Sequence, residues 1–541
     1  MRFEEKLKEF PKEAIWSEYC GFLDLDIREY MQIQNRLLKE QIRLWSSSSL
    51  GQSFLKGKFP GTIEEFRAMV PLTTYDDYAD VLLARRKEML PEEPVIWIQT
   101  TWEGGKHPIK AAPYTQGMLK TYQNNVLACL ILSTSSKKGE FDVSAADNIL
   151  YALAPLPYPT GLFPVALGDE IGIGFLPPVK DAVEMSFKER NVKGFQMGLK
   201  KGIEFFFGMG SVAYYVSLSV AAMGSGGSSK GLKKLAGISP SMLLRLAKAK
   251  KICKEENRQL KPKDLFQLKG FMCAGTDNRC YKDDLEDLWG IRPMELFAGT
   301  EPSCIGTETW TRNGMYFFPD TCFYEFIPEA EMEKNMEDST YQPRTVLMDE
   351  VQEGEKYELV LTIFKGGAFA RYRVGDVYRC AGLTNKEDET KIPRFQYVDR
   401  VSSIIDIAGF TRISEYSITR AIELSGLPIK DWIAQKEYKD NRRPVLHMYV
   451  EMEAGCLANH AVSQMILKEH LGIYFKYIDE DYQDLKKILG MDPLEITILK
   501  CGTFDRYRLE TEKNIRHMSP PAREVQDLLR AEGDKGGIRR V

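Results

Sequence analysis

Between Leu268 and Ala298 the chain carries an apolar run, a helical stretch and a second apolar run. Leu268–Ala274 reads as a strand, Asp277–Leu288 as a helix and Pro293–Ala298 as a second strand. Strands alternating with helices imply a parallel sheet. In such sheets ligands gather beyond the carboxyl ends of the strands. Phe297-Ala298-Gly299-Thr300-Glu301 sits at one of those ends.

A second constraint lies at Arg371-Tyr372-Arg373-Val374-Gly375-Asp376. A β-rich run, Tyr357–Phe364, leads through Lys365-Gly366-Gly367 into this segment, and the two runs are expected to pair as a hairpin. A fixed carboxylate after a glycine turn suits the two hydroxyls of a ribose. The flanking guanidinium groups suit phosphate or carboxylate, whose oxygens match the arginine fork. Taken alone, the same residues read equally as a charged hairpin with a turn aspartate capping its own backbone.

At 541 residues the chain is long enough for two or more domains. A hydrophobic content of 43% and a charged content of 28% are those of a globular protein. The net charge of −4 gives no basic surface for nucleic acid. Ten scattered cysteines without a CxxC pair, and an N-terminus that does not read as a signal peptide, predict reduced thiols in the cytoplasm. The five histidines show no zinc spacing. The uncharged stretch Phe205–Ser229 approaches the ~20 apolar residues of a membrane span. Its glycines, serines and mid-segment tyrosines instead predict a buried helix beside a pocket, and no membrane span.

The first 55 residues read as helices, and Val95–Gln99 and Asn148–Leu156 as strand-like runs. Gly224–Ser229 is loop-like by composition, followed by a basic helical stretch over Lys230–Lys263. A boundary is placed after Val398. Beyond it Ser414–Leu424 reads as a helix, and Val445–Glu451 and Leu494–Lys500 as strands, enough for a small α+β domain.

The ordered set Phe297–Glu301, Arg371–Asp376 and Asp399-Arg400 followed by Gly409 resembles the adenylate-forming enzymes: acyl-CoA synthetases, luciferases and peptide-synthetase adenylation domains. Val70-Pro71-Leu72-Thr73-Thr74-Tyr75-Asp76-Asp77-Tyr78, Phe323–Pro328 and Gly502-Thr503-Phe504 are similar to signatures of one branch, the auxin-responsive acyl-acid amido synthetases named after Gretchen Hagen. The resemblance implies an α/β fold. A large N-terminal domain, residues 1–398, would bind nucleotide and acyl acid with mixed sheets and a β-barrel-like part. A small mobile α+β domain, residues 399–541, would follow. It also implies ATP and Mg2+, with small-molecule carboxylic acid and amine substrates. Glu301 is then the magnesium ligand, and Thr300 and Lys110 join it in the chemistry. Asp376 takes the ribose hydroxyls, and Arg373 and Arg400 reach the nucleotide. Phe297, Ala298 and Gly299 line the same site. Tyr324 or Phe326 stacks on adenine, although both read equally as core residues.

The stretch Thr100–Thr115 stands where the family has its phosphate loop: Gly104, Gly105, Lys110, Pro113 and Thr115 match it with one extra residue between, and Thr100 and Thr101 open it as further nucleotide-binding candidates. Trp102 and Glu103 stand where relatives carry glycine and threonine, and a carboxylate near phosphates is repulsive. The C-terminal stretch Arg516–Ala522 lacks the family's lysine and final arginine, and Ser402 replaces the aspartate or lysine of the hinge. Two functional expectations follow. One is adenylation of an acid with transfer to an amine, or to a thiol such as coenzyme A. The other is a relative that no longer activates ATP: a binding or partner protein, or an acyltransferase using a preactivated donor.

Overall fold

A computed structural model describes residues 1–101, 107, 109–152, 154–185, 187–225, 240–401, 403–408, 411–439, 443–454, 460–478 and 492–533. The chain divides into two units, one of residues 1–101 and 109–398, the other of residues 102–108 and 399–541.

In the larger unit, helices at Phe3–Glu9, Lys12–Cys20, Ile27–Ser47 and Ser49–Leu55 form the amino-terminal layer expected from the sequence. The 21-residue helix Ile27–Ser47 starts at Asp26, whose carboxylate accepts from the Glu29 N–H while Glu29 reaches back to the Asp26 N–H. This reciprocal pair satisfies two of the amides that every helix start leaves unbonded. Its inner face carries Tyr30, Leu38, Ile42 and Trp45 into the core. A hairpin follows, β1 (Ile96–Thr101) paired antiparallel with β2 (Ile109–Tyr114), with Thr100 opposite Lys110.

The central sheet has seven strands: β3 (Asn148–Ala152), β4 (Gly174–Leu176), β5 (Phe205–Met209), β6 (Gly270–Ala274), β7 (Met294–Gly299), β8 (Ser303–Thr307) and β9 (Tyr316–Phe317). Their spatial order is β4-β3-β5-β6-β7-β8-β9. β4, β3, β5, β6 and β7 run parallel, and β8 and β9 return antiparallel. The strand–helix–strand pattern of the sequence is thus β6, the helix Lys282–Trp289 and β7.

Phe205-Phe206-Phe207-Gly208-Met209 departs from the helix expected there. It is a buried strand between β3 and β6, and a helix begins only at Gly210. A strand covered on both faces has the same unbroken apolar character as a buried helix, so periodicity cannot separate the two. Among the described residues no helix is long and apolar enough to cross a membrane.

A second sheet contains β10 (Cys322–Pro328), β11 (Val346–Leu347), β12 (Lys356–Ile363), β13 (Tyr372–Gly382) and β14 (Arg394–Arg400), ordered β11-β10-β12-β13-β14. In it β12 pairs with β13 antiparallel, as the hairpin expected from the sequence. The turn between them is held from the amino-terminal layer. Gln41 accepts from the Gly366 N–H and donates to Gly367 O, both at 2.9 Å, and Trp45 Nε1 donates to Ala368 O at 3.0 Å. Lys365 and Gly366 both take positive φ, 57° and 79°. Glycine adopts that conformation at no steric cost.

The smaller unit contains the hairpin β15 (Ile404–Ile407) with β16 (Thr411–Ser414). Its three-stranded sheet has β17 (Ile429–Lys439) antiparallel to β18 (Arg443–Met452), and β18 parallel to β19 (Leu494–Leu499). The helix Glu415–Ser425 and strands β18 and β19 lie where the sequence places them. β17 alternates too many polar residues to be read as a strand in advance. His517 stacks on Trp432 at 4.6 Å and pairs with Asp431 at 3.1 Å and Glu415 at 2.7 Å.

Two predictions rest on this packing. Arg371 is buried with Glu325, both oxygens lying 3.0 Å from its Nε and Nη2. Arg371→Met removes the bidentate partner and leaves Glu325 with Arg67 at 3.0 Å and Thr345 at 2.6 Å, so it should destabilise the larger unit by about 3 kcal/mol, the lower end of the cost of breaking a buried pair, measured by urea unfolding. The hydrogen bond to Asp431, and then Glu415, raises the His517 pKa. Its raised value means the stabilisation is complete below the unfolded pKa of about 6.5 and is lost as pH rises through the higher folded value. The stability difference between wild type and His517→Gln should therefore be largest at acidic pH and shrink towards pH 9. A difference that grows with pH would contradict the assignment.

Candidate active site

β7 reaches the carboxyl edge of the parallel strands at Gly299, and the chain turns there through Thr300 and Glu301 into β8. Both residues are buried. The turn is fastened from β2, where Tyr114 donates its hydroxyl to Thr300 O at 2.8 Å. Lys110, on the same strand, donates to Glu301 Oε1 at 3.1 Å.

A third residue completes the cluster. Tyr372, the first residue of β13, donates to Glu301 Oε1 at 2.5 Å and accepts from Lys110 Nζ at 3.0 Å. The Lys110 ammonium also lies over the rings of Tyr75 and Tyr372, 5.3 and 5.7 Å from their centroids. Tyr75 is fixed in turn by Ala111, whose N–H donates to its hydroxyl at 2.6 Å.

Residues 70–78 explain how β13 comes to this place. The Thr73 N–H donates to Arg371 O at 2.9 Å and Thr73 O accepts from the Arg373 N–H at 2.8 Å, so Tyr372 is bracketed by a two-bond ladder. Tyr78 donates to Ala370 O and accepts from the Ala370 N–H, both at 3.0 Å.

Burial alone would push the Glu301 pKa up, because a low-dielectric site disfavours charge. The Lys110 charge and the Tyr372 hydroxyl outweigh it and hold the carboxyl below its ordinary value. Glu301 is therefore an ionised buried carboxylate with a removable cationic partner. Magnesium characteristically takes one or two carboxylates together with phosphate oxygens and water. The donor set fits that ion.

Asp376 lies on the same strand, where β13 leaves its regular pairing. Arg373 pairs with Val360 and Val377 with Glu358, so Val374–Asp376 face Leu359 alone. Gly375 absorbs the irregularity with φ of 81°, and Asp376 is buried beside it. Such bulges re-aim a side chain and are common next to active sites.

Other residues singled out from sequence fall differently. Arg373 is not offered to a phosphate. It pairs with Glu358 through two bonds of 2.8 and 2.7 Å, and with Asn335 at 2.8 Å. Strand alternation turns it to the face opposite Tyr372. Arg371, read as a flanking anion ligand, is the structural ion pair described above.

Tyr324 and Phe326 are core residues and not an adenine platform. Tyr324 is 1% exposed and its hydroxyl donates to Phe318 O at 2.7 Å. Phe326 stacks on Phe395 at 5.1 Å. Phe297, Ala298 and Gly299 are half-buried along the end of β7. Thr100 and Thr101 lie on β1 opposite Lys110 and Ile109. Gly104 and Gly105 lie outside the described residues, as do Trp102, Glu103, Ser402 and Gly409. Arg400 belongs to the smaller unit, its Nε 3.9 Å from the buried Asp406, which also pairs with Arg412 at 3.2 Å.

Tyr372 and Tyr114 were missed by a reading that followed charge. The available signal was alternation: if Arg371 and Arg373 share one face of a strand, Tyr372 occupies the other.

Residues 315–400 match the family model described as the GH3 family central domain. A jasmonoyl–L-amino acid synthetase of Nicotiana attenuata is 29% identical over 198 residues, 35% of this chain and 30% of the relative. An indole-3-acetic acid-amido synthetase of Oryza sativa subsp. indica is 28% identical over 244 residues, 42% of this chain and 38% of the relative. The matched segments thus span only 30% and 38% of these curated relatives.

Among solved structures, an acyl acid amido synthetase in complex with 2,4-DB aligns over 92% of this chain and 93% of its own, with a TM-score of 0.51 and 17% identity. A 2-hydroxyisobutyryl-CoA ligase in complex with 2-HIB-AMP and CoA aligns over 90% and 88%, with a TM-score of 0.53 and 15% identity. At these identities the likeness is one of fold. The chain is thus similar to the GH3 acid-amido synthetases through its central segment, and shares its overall α/β fold with an acyl acid amido synthetase and an acyl-CoA ligase.

Proposed function

We propose that this chain is an ATP- and magnesium-dependent ligase that adenylates a small carboxylic acid and passes the acyl group to an amine. The observation that carries the reading is the buried Lys110–Glu301–Tyr372 cluster at the carboxyl edge of a parallel sheet. A nucleotide polyphosphate and a carboxylate repel, so a site that joins them needs fixed cationic groups and a place for a metal ion. Magnesium bound at Glu301 would neutralise phosphate charge.

In the first half-reaction a carboxylate oxygen of the acid attacks the α-phosphorus, and the bond to pyrophosphate breaks with its electron pair leaving on pyrophosphate. In the second, an amine nitrogen attacks the acyl carbon, loses a proton and expels AMP. Tyr372 holds Glu301 in orientation throughout. Lys110 moves its charge from Glu301 towards the arriving phosphates, and the Thr300 hydroxyl donates to the α-phosphate. Asp376 accepts from both ribose hydroxyls.

One relative is a jasmonoyl–L-amino acid synthetase and another an indole-3-acetic acid-amido synthetase. That supports an apolar or aromatic acid and an amino acid as substrates here. The nine described cysteines are free thiols, which suits a cytoplasmic enzyme. Trp102 and Glu103 favour a second reading, acyl transfer from a preactivated donor.

Pyrophosphate exchange into ATP across a panel of aromatic, fatty and amino acids separates the two. Acid-dependent exchange is expected. Asp376→Ala should weaken nucleotide binding about tenfold to a hundredfold, the roughly 1.5–3 kcal/mol of a charge-assisted acceptor. Silence across the panel in folded protein that still binds AMP would select the preactivated donor. Tyr372→Phe should raise the magnesium concentration for half-maximal exchange about tenfold, while leaving the KM for the acid unchanged.

A further inference from the structure

One face of the three-stranded sheet in the smaller unit carries a group unconnected with the chemistry above. His447 on β18 stands between Gln435 on β17 and Glu495 on β19 in register, and Glu437 is its diagonal neighbour. The side chains of Glu437, His447 and Glu495 converge, with one ligand atom from each lying within 4.8 Å of the others. All three are partly buried, His447 most at 13% exposed.

The imidazole is held as metal-bound imidazoles are. Its Nε2 is 2.8 Å from Thr497 Oγ1. A neutral ring that donates to Thr497 through Nε2 leaves the Nδ1 lone pair turned towards Glu437. Nδ1 is buried and 2.8 Å from Glu437 Oε2, off the line of a hydrogen bond. In that tautomer two acceptor atoms face each other, an arrangement that a bound cation, or a proton on Nδ1, relieves. The other oxygen of Glu437 is oriented by Tyr449 at 3.1 Å and Gln435 at 2.5 Å, so the carboxylate is pre-set. Lys439 pairs with Glu495 Oε1, a cation already drawn to the same group.

We propose that Glu437, His447 and Glu495 form a binding site for a first-row divalent transition-metal ion that ties β17, β18 and β19 together. One imidazole and two carboxylates make a donor set for zinc, cobalt or manganese, not for a thiophilic ion. The ligands come from three adjacent strands at neighbouring register positions. The ion therefore bridges a sheet already formed, and water fills the remaining coordination positions. Nothing in this site depends on adenylation.

The test uses the full chain stripped with chelator, then titrated calorimetrically with zinc and followed by visible absorption with cobalt. One zinc ion is expected to bind, with a cobalt spectrum of low coordination number and a raised Tm. His447→Phe, which keeps the ring stacked on Tyr449 (4.2 Å in the native protein), should weaken zinc at least tenfold. Glu437→Gln should do the same without altering the metal-free Tm, which guards against loss of fold in the first variant. Lys439→Gln should tighten binding by removing the competing ammonium. Absence of zinc binding in the wild type, or the same affinity in both ligand variants, would overturn the site.

Discussion

The guanidinium of Arg371 sets where β13 begins. It reaches both oxygens of Glu325 on β10 and the carbonyls of Arg67 and Val70, at 2.5 and 2.7 Å, so three chain segments meet on one side chain. Arg371 itself takes φ of 47°, a left-handed conformation that an arginine keeps only where its surroundings over-determine it. With that residue fixed, the next one, Tyr372, must point to the opposite face, and the Thr73 ladder clamps it there. The register then runs regularly to Arg373 and breaks at Gly375, delivering Asp376. A shift of one residue would exchange Tyr372 for Arg373 and dissolve the cluster.

The cluster has a second dependence, on charge balance. A carboxylate as buried as Glu301 loses several kcal/mol of hydration, which only close charge and hydrogen bonds can offset. Lys110 and Tyr372 supply both at 3.1 and 2.5 Å. An ammonium, unlike a backbone N–H, sits on a flexible stem and can leave. The cluster can therefore keep an ionised carboxylate buried without locking it away from the magnesium ion proposed for it. Arg373–Glu358 and Arg371–Glu325 use bidentate geometry instead, and those pairs hold strands together.

How much of this was legible follows from what a one-dimensional pattern can encode. The β6–helix–β7 unit was readable because strand, helix and strand each have their own period, and Phe297–Glu301 was placed at a strand end for that reason. The β12–β13 pairing was readable from its turn, where Gly366 requires positive φ. Phe205–Met209 was misread because burial on both faces erases periodicity. Arg373 is assigned to nucleotide from residue type, and Tyr324 and Phe326 from the family resemblance, with core packing fitting them equally well. Whether an arginine meets a phosphate or Glu358, or a tyrosine a ligand or Phe318 O, depends on partners elsewhere in the sequence. Tyr372 escaped notice because it lies between two charges that drew the eye.

Convergence of distant segments is the strongest argument for a built site. Lys110 and Glu301 are separated by 191 residues, and Lys110 and Tyr372 by 262, yet all three pairs among them lie within 3.1 Å. The family match covers residues 315–400 and so includes Tyr372 and Asp376 but neither Lys110 nor Glu301. The geometry thus joins residues inside the matched segment to residues outside it. A fold kept only as a scaffold would gain nothing from burying a lysine–glutamate–tyrosine cluster at a ligand-binding edge, where apolar packing is usually as stable or more so. A buried ionised group at that edge is what the proposed metal-nucleotide site requires.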